Sequence, residues 1–254
     1  MGLDILANIT DPYERKARLY PISLPFIPFA VLVVGLYTFH FDKAWIPLIA
    51  TFGAFYLLAR ISRNRGKKIE TTLFDSWGGK PSTQLLRHRD KQIDKISKLR
   101  YHAVLSKLVN VDFPTESDES DNPTYADNIY ESAVKYLIEQ TRDQKKYKLL
   151  FNENIEYGFL RNSLGCKPLG IVIAFISIIW VFVSLVTISV SSTIEISMSQ
   201  LPTGAIVSLF VSVIMLWIWL SYFTRNSVRI AAFTYAETLL RACDSLSTST
   251  KPKR

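Results

Sequence analysis

The sequence predicts an all-α membrane protein: four transmembrane helices in two hairpins, with a cytoplasmic helical domain inserted between them. Three observations carry this prediction. The runs Pro168–Val190 and Thr203–Phe223 contain no Lys, Arg, Asp, Glu or His. Each is long enough at helical rise to cross a bilayer core of roughly 30 Å. A buried helix of a water-soluble protein usually carries a polar stripe along such a length, whereas these runs offer Ser and Thr. Basic residues are segregated: 20 of the 30 Lys and Arg lie in Arg60–Lys167, six follow Phe223, three precede the first apolar run, and Lys43 is the last. Apolar residues in the polar middle recur at helical spacing, with no strand-type alternation.

Taken in order, Met1–Tyr20 is a polar lead. It lacks a basic start and a small-residue cleavage pattern, so no signal peptide is expected. Leu6 stands where a myristoylation motif needs Ser or Thr. The sequon Asn8-Ile9-Thr10 should face the cytoplasm and stay unused. The first span, Pro21–Phe41, has its prolines near its start, at Pro21, Pro25 and Pro28. They predict a bent or interfacial entry, because proline inside a helix removes a hydrogen bond. A short turn at Phe41–Lys43 leads to a second, shorter span, Ala44–Ala59, flanked by Trp45 and Tyr56. Residues of that kind favour the headgroup region. Hairpin 1 thus covers 21–59, and 168–223 forms hairpin 2.

The loop Ser191–Pro202 has no basic residue. The positive-inside rule therefore places both termini and the middle segment in the cytoplasm of a multi-pass protein of the inner or plasma membrane. The net charge of +8 reads as this topology signal, and no nucleic-acid partner is expected. Cys166 and Cys243 form no metal-ligand spacing and should stay reduced. Cys166 is an ordinary interfacial cysteine or, as the rarer alternative, a site of reversible acylation.

The middle segment 60–167 is itself asymmetric. Arg63–Lys107 carries 12 basic and four acidic residues, and Leu108–Glu131 carries seven acidic and no basic ones. A helix is expected over Gln84–Val109, capped by Ser82 or Thr83. An acidic loop follows at Thr115–Pro123, and Thr124 starts a second helix, Tyr125–Leu150. The segment Phe151–Lys167 leads back to the membrane. So small a core should lean on the amphipathic helix 224–246 or on neighbouring protomers. The tail 247–254 is expected to be disordered.

Candidate sites follow from residue chemistry. Trp77-Gly78-Gly79-Lys80-Pro81 combines glycine amides and a lysine before a helix start. With Arg87, His88 and Arg89 it could contact an anion or a nucleotide phosphate. Pro81 after Lys80 and the missing upstream glycine exclude a P-loop. The plainer reading is a turn with an anchored Trp. His88-Arg89-Asp90 has a kinase-like spelling, but Lys95 stands where Asn is required. Arg60, Arg63, Arg65, Lys67 and Lys68 suit anionic lipid headgroups. Ser177, Ser184, Ser208 and Ser212 suit helix packing or the lining of a narrow pore. No metal cluster, cofactor motif, paired carboxylates or nucleophile–base arrangement marks an enzyme.

The phrases FDSWGGKPSTQLLRHRD and YGFLRNSLGCKPLG, with the span layout, resemble a group of uncharacterised bacterial four-span proteins. The layout is also similar to that of the transmembrane effectors of antiviral defence systems. The small sensor-sized middle domain, the basic loop–helix start and spans without coupling charges point to a non-enzymatic homo-oligomer in the lipid bilayer. Its cytoplasmic domain would receive a signal, from an anionic small-molecule ligand or a cytoplasmic protein partner, and its spans would alter permeability. A membrane-anchored adaptor is the alternative.

Overall fold

The computed structural model describes residues 11–36, 45–192 and 203–249, with side chains at 11–34, 57–187 and 203–246. Every element is helical, and no strand occurs among the described residues. The chain divides into two units. Unit 1 comprises Met1–Ile69 and Gly158–Val228, and unit 2 comprises Glu70–Tyr157 and Arg229–Arg254.

In unit 1 the chain turns helical earlier than the apolar pattern suggests. Asp11 accepts the Glu14 N–H at 3.1 Å and starts a run long and apolar enough to cross a membrane, Glu14–Val34. The prolines change its pitch without ending it. A π-helical stretch Glu14–Leu19, an α turn Tyr20–Ser23 and a 3-10 turn Leu24–Phe26 precede α1, Ile27–Leu36. Pro21 and Pro25 each sit at the first turn of one of these pieces, where a missing N–H costs least. The next helix, α2, is Trp45–Trp77. It contains most of the expected second span, whose side chains through Tyr56 lie outside the described residues, as do 37–44 and 193–202 of the expected outer turns.

Two further helices are long and apolar enough to cross a membrane: Lys148–Thr187 within α7, Lys148–Ser192, and α8, Thr203–Ser221. The segment expected to lead back to the membrane is therefore helix, continuous with the span through Pro168. The residue distribution reverses that of a water-soluble bundle. Phe175, Trp180, Val186, Phe210 and Trp217 are exposed, whereas Ala174, Ser177, Ser208 and Ser212 are buried. Small residues inside and large apolar ones outside suit helices packed in lipid, where close backbone approach replaces the hydrophobic drive. Gly170 shows how close: a Cβ built there would overlap the indole of Trp219, which is fully buried.

Unit 2 contains α3, Pro81–Leu86; α4, Lys95–Val109; α5, Glu116–Asp121; and α6, Pro123–Gln140. It also receives most of α9, Arg225–Ser249. The single helix expected over Gln84–Val109 is in fact two. Asp94 accepts the Ser97 N–H at 2.8 Å and caps α4, and Arg87 is extended. The cap of α3 is Lys80 rather than Ser82 or Thr83, because Pro81, lacking an N–H, takes the first helical position. The expected acidic loop contains a helix, nucleated by a capping box between Thr115 and Asp118. Its first-turn acids meet the positive end of the helix dipole. The following helix is capped by Asn122, not Thr124, and stops at Gln140, ten residues before the expected Leu150. Leu86, Leu105, Tyr130 and Leu137 form the core with Leu239, Leu240 and Cys243 of α9. The amphipathic helix thus closes this core, and it runs to Ser249, into the stretch expected to be disordered.

A glycine in a helix normally gains about 1 kcal/mol on replacement by alanine. Gly170→Ala is expected to do the reverse, lowering the thermal midpoint in detergent micelles, since overpacking costs about 1–3 kcal/mol. A tryptophan-fluorescence melt reads this directly.

Candidate functional site

The predicted anion loop lies at the junction between α2 and α3. Gly78 and Gly79 have φ of 86° and 128°, conformations that a side chain would strain. Gly79 N–H donates to Phe74 O at 2.8 Å and Gly78 N–H to Asp75 O at 3.3 Å. These paired bonds form a Schellman cap. The amides that could have cradled an anion therefore terminate α2.

The cations of the junction are paired with acids of α6. Lys80 Nζ lies 2.5 Å from Glu131 Oε2. Arg87 makes a two-pronged contact with Asp127, at 2.8 and 2.7 Å, and a third bond to Gly78 O at 2.8 Å. Asp127 and Glu131 are one helical turn apart and present one acidic face. Two cations of the basic half thus pair with two acids of the acidic half. Arg89 is exposed, and its backbone N–H lies 3.4 Å from Glu119 Oε1.

Behind these pairs is a polar core that the sequence reading missed. Buried Glu119 accepts the His88 N–H at 2.8 Å and the Tyr130 hydroxyl at 2.9 Å. Lys98, also buried, donates to Arg87 O at 2.6 Å and Asp90 O at 2.5 Å, tethering the turn between α3 and α4. His88 donates through Nε2 to Pro114 O at 2.9 Å, and His102 through Nε2 to Leu86 O at 2.7 Å. A carbonyl can only accept, so both rings carry the proton on Nε2. The rings meet edge to face with centroids 4.9 Å apart.

Burial sets the proton affinities. The His102 imidazole is pushed down to about 4, mainly by desolvation, with His88 and Lys98 acting in the same direction. Desolvation also lowers the Lys98 ammonium, opposed by Asp90 and Glu119. The Tyr130 phenol is pushed up, first by burial and then by its bond to Glu119.

The other predicted residues lie in unit 1. Arg60, Arg63, Arg65, Lys67 and Lys68 are all exposed on α2, whose opposite side buries Ser62 and Gly66. Ser208 donates to Gly204 O at 2.7 Å and lies 3.2 Å from Val31 O of α1. Ser212 donates to Ser208 O at 2.7 Å. Both serve packing. Ser177 is buried and Ser184 half-buried. Cys166 is buried 3.8 Å from Ser62 Oγ, closed to acylation in this conformation. Sequence reading also missed the buried pair Arg161 and Asn162, in which the Asn162 amide donates to Ala17 O at 2.6 Å. Among the described residues, no three His, Cys, Asp or Glu side chains cluster to hold a metal.

Two measurements check this geometry. A depressed histidine pKa means that the unfolded chain binds more protons between pH 6.5 and 4. Stability is then full above pH 6.5 and falls as pH drops towards 4. The loss is about 3 kcal/mol. His102→Gln keeps a donor for Leu86 O without titrating, so its melting curves between pH 7 and 4 should be flatter. A double-mutant cycle of Arg87→Ala and Asp127→Ala should give a coupling of about 1–3 kcal/mol, read by chemical denaturation. No protein-family model, curated protein or solved structure matches this chain.

Proposed function

We propose that the chain is a multi-pass protein of the cell membrane, with both termini in the cytoplasm. In this reading it is a non-enzymatic adaptor that presents its helical unit as a docking module. The carrying observation is that Lys80 and Arg87 are matched by Glu131 and Asp127 within the unit. A site awaiting an anion would keep its donors open. Internally matched charges instead build a fixed body whose outer surface is what a partner meets. That surface bears exposed Tyr125, Tyr136 and Ile138 on α6, side-chain types that suit protein contacts.

The second reading is a homo-oligomeric effector whose spans alter permeability, as in antiviral defence. One observation favours it. Ser177 Oγ is buried without a hydrogen-bond partner among the described residues, and an assembly of copies could use it. Ser208 and Ser212, bonded to backbone carbonyls, favour the adaptor.

Membrane potential in expressing cells separates the two. The adaptor reading expects a flat potential, cytoplasmic reporters at both termini, and one discrete partner captured by a photo-cross-linker at Tyr125 or Tyr136. Depolarisation that Ser177→Leu abolishes would establish the effector instead.

A further inference from the structure

The turn between α3 and α4 has a second side, away from the Arg87–Asp127 pair. There a pocket of about 290 Å³ opens between this turn, the start of α4 and the acidic helix α5. Ile93 and Lys98 line it and are buried, and Leu99, about half exposed, forms an apolar wall. Lys98 donates two of its ammonium N–H groups to Arg87 O and Asp90 O. An ammonium has three, so one donor remains for whatever enters.

The charges on the rim are balanced. Lys91 and Lys95 join Lys98, and Asp90, Asp94 and Glu116 oppose them. Each aspartate uses one carboxylate oxygen on a backbone N–H, Asp94 on Ser97 and Asp90 on Gln92. Asp94 also accepts from the Ser97 side chain, and a carboxylate has lone pairs for several donors. Glu116 and Lys95 stand 4.0 Å apart and are largely exposed, at 75% and 81%. Such a pair holds little energy and exchanges easily. Three acids would repel a polyanion, and three lysines a polycation. A pocket at the small end of the ligand-binding range, with an apolar wall and both signs of charge, selects one chemical class.

We propose that this pocket binds a small zwitterion with an apolar body, of the size of an apolar α-amino acid. Its carboxylate meets Lys98 and its ammonium meets Asp94 and Glu116, with the side chain against Ile93 and Leu99. The inference does not depend on the adaptor reading, because it concerns what unit 2 senses and not what it docks.

The test is calorimetric titration of the full chain in detergent micelles. The probes are L-leucine and L-phenylalanine, with 4-methylpentanoate, 3-methylbutylamine, inorganic phosphate and ATP as comparisons. Saturable binding of an amino acid that the single-charge analogues lack is the expected result. Leu99→Trp, at an exposed wall position, should plug the pocket and weaken that binding at least about tenfold. Glu116→Gln removes a rim charge from an exposed side chain and should weaken it while leaving the far-UV circular dichroism spectrum unchanged. The proposal is overturned if neither amino acid binds, if ATP or phosphate binds more tightly, or if binding survives both substitutions.

Discussion

Two helix backbones touch where Gly66 of α2 meets Gly165 of α7, and the arrangement of unit 1 depends on that contact. A Cβ on Gly165 would stand 2.8 Å from the backbone of Arg65 and Gly66, and one on Gly66 would overlap Asn162. At this spacing Asn162 reaches past α2 to Ala17 O, and Ser62 comes beside Cys166. Gly158, two turns earlier on α7, lets Ala17 and Tyr13 close in from the N-terminal run. Three segments are thereby set by residues with almost no side chain. A buried guanidinium and amide, Arg161 and Asn162, sit at this seam and hydrogen-bond at 3.2 Å. Burying such groups costs free energy unless they are paired. An alternative helix register would lose the Asn162 bond to Ala17 O, so the buried amide favours one packing over its neighbours.

The same logic runs through the spans. Trp219 lies on Gly170 and against Phe223, with ring centroids 4.6 Å apart. Lys167 donates to Leu220 O and Phe223 O, carbonyls that the end of α8 would otherwise leave without partners. The cation also lies at the negative end of the helix dipole. Thr224 then caps α9 by accepting the Ser227 N–H. Ser208 and Ser212 are bonded to helix carbonyls, whereas Ser177 Oγ is buried without a partner among the described residues.

How legible this was depended on whether a feature is local. The all-helical class and the long apolar helices could be read because an uncharged run and a helical period are properties of one segment. The capping box at Thr115 and Asp118 was spelled out too, but the density of acids around it suggested a loop. Gly78-Gly79 followed by Pro81 is the spelling of a helix end and a helix start. It also satisfies an anion loop, and only the destination of the two amides decides between them. The break at Arg87–Asp94 could not be read, because Leu85, Leu86, Ile93 and Ile96 keep a helical period across it. It is made by Lys98 reaching back to Arg87 O and Asp90 O, a tether with no signature in the sequence. The burial of Arg161 is likewise invisible, since an arginine near a span normally marks only topology.

Helix α5 shows what holds unit 2 shut. Its sequence, ESDESD, has no apolar residue to bury, so hydrophobic packing cannot fix it. It is held from within by its cap and from without by one inward acid, Glu119, bonded to His88 N–H and Tyr130. Charge-assisted bonds of this kind are strong when desolvated, yet they are few. A segment with so few buried contacts belongs to the least stable part of a fold. The remaining acids of α5 face solvent, Glu116 among them, on the rim of the pocket beside Lys95. A ligand that engaged Glu116 would therefore act on the element whose attachment is easiest to change, and through Glu119 on the backbone at His88. Binding at this pocket would need no large motion, only a shift in how firmly one short acidic helix is held.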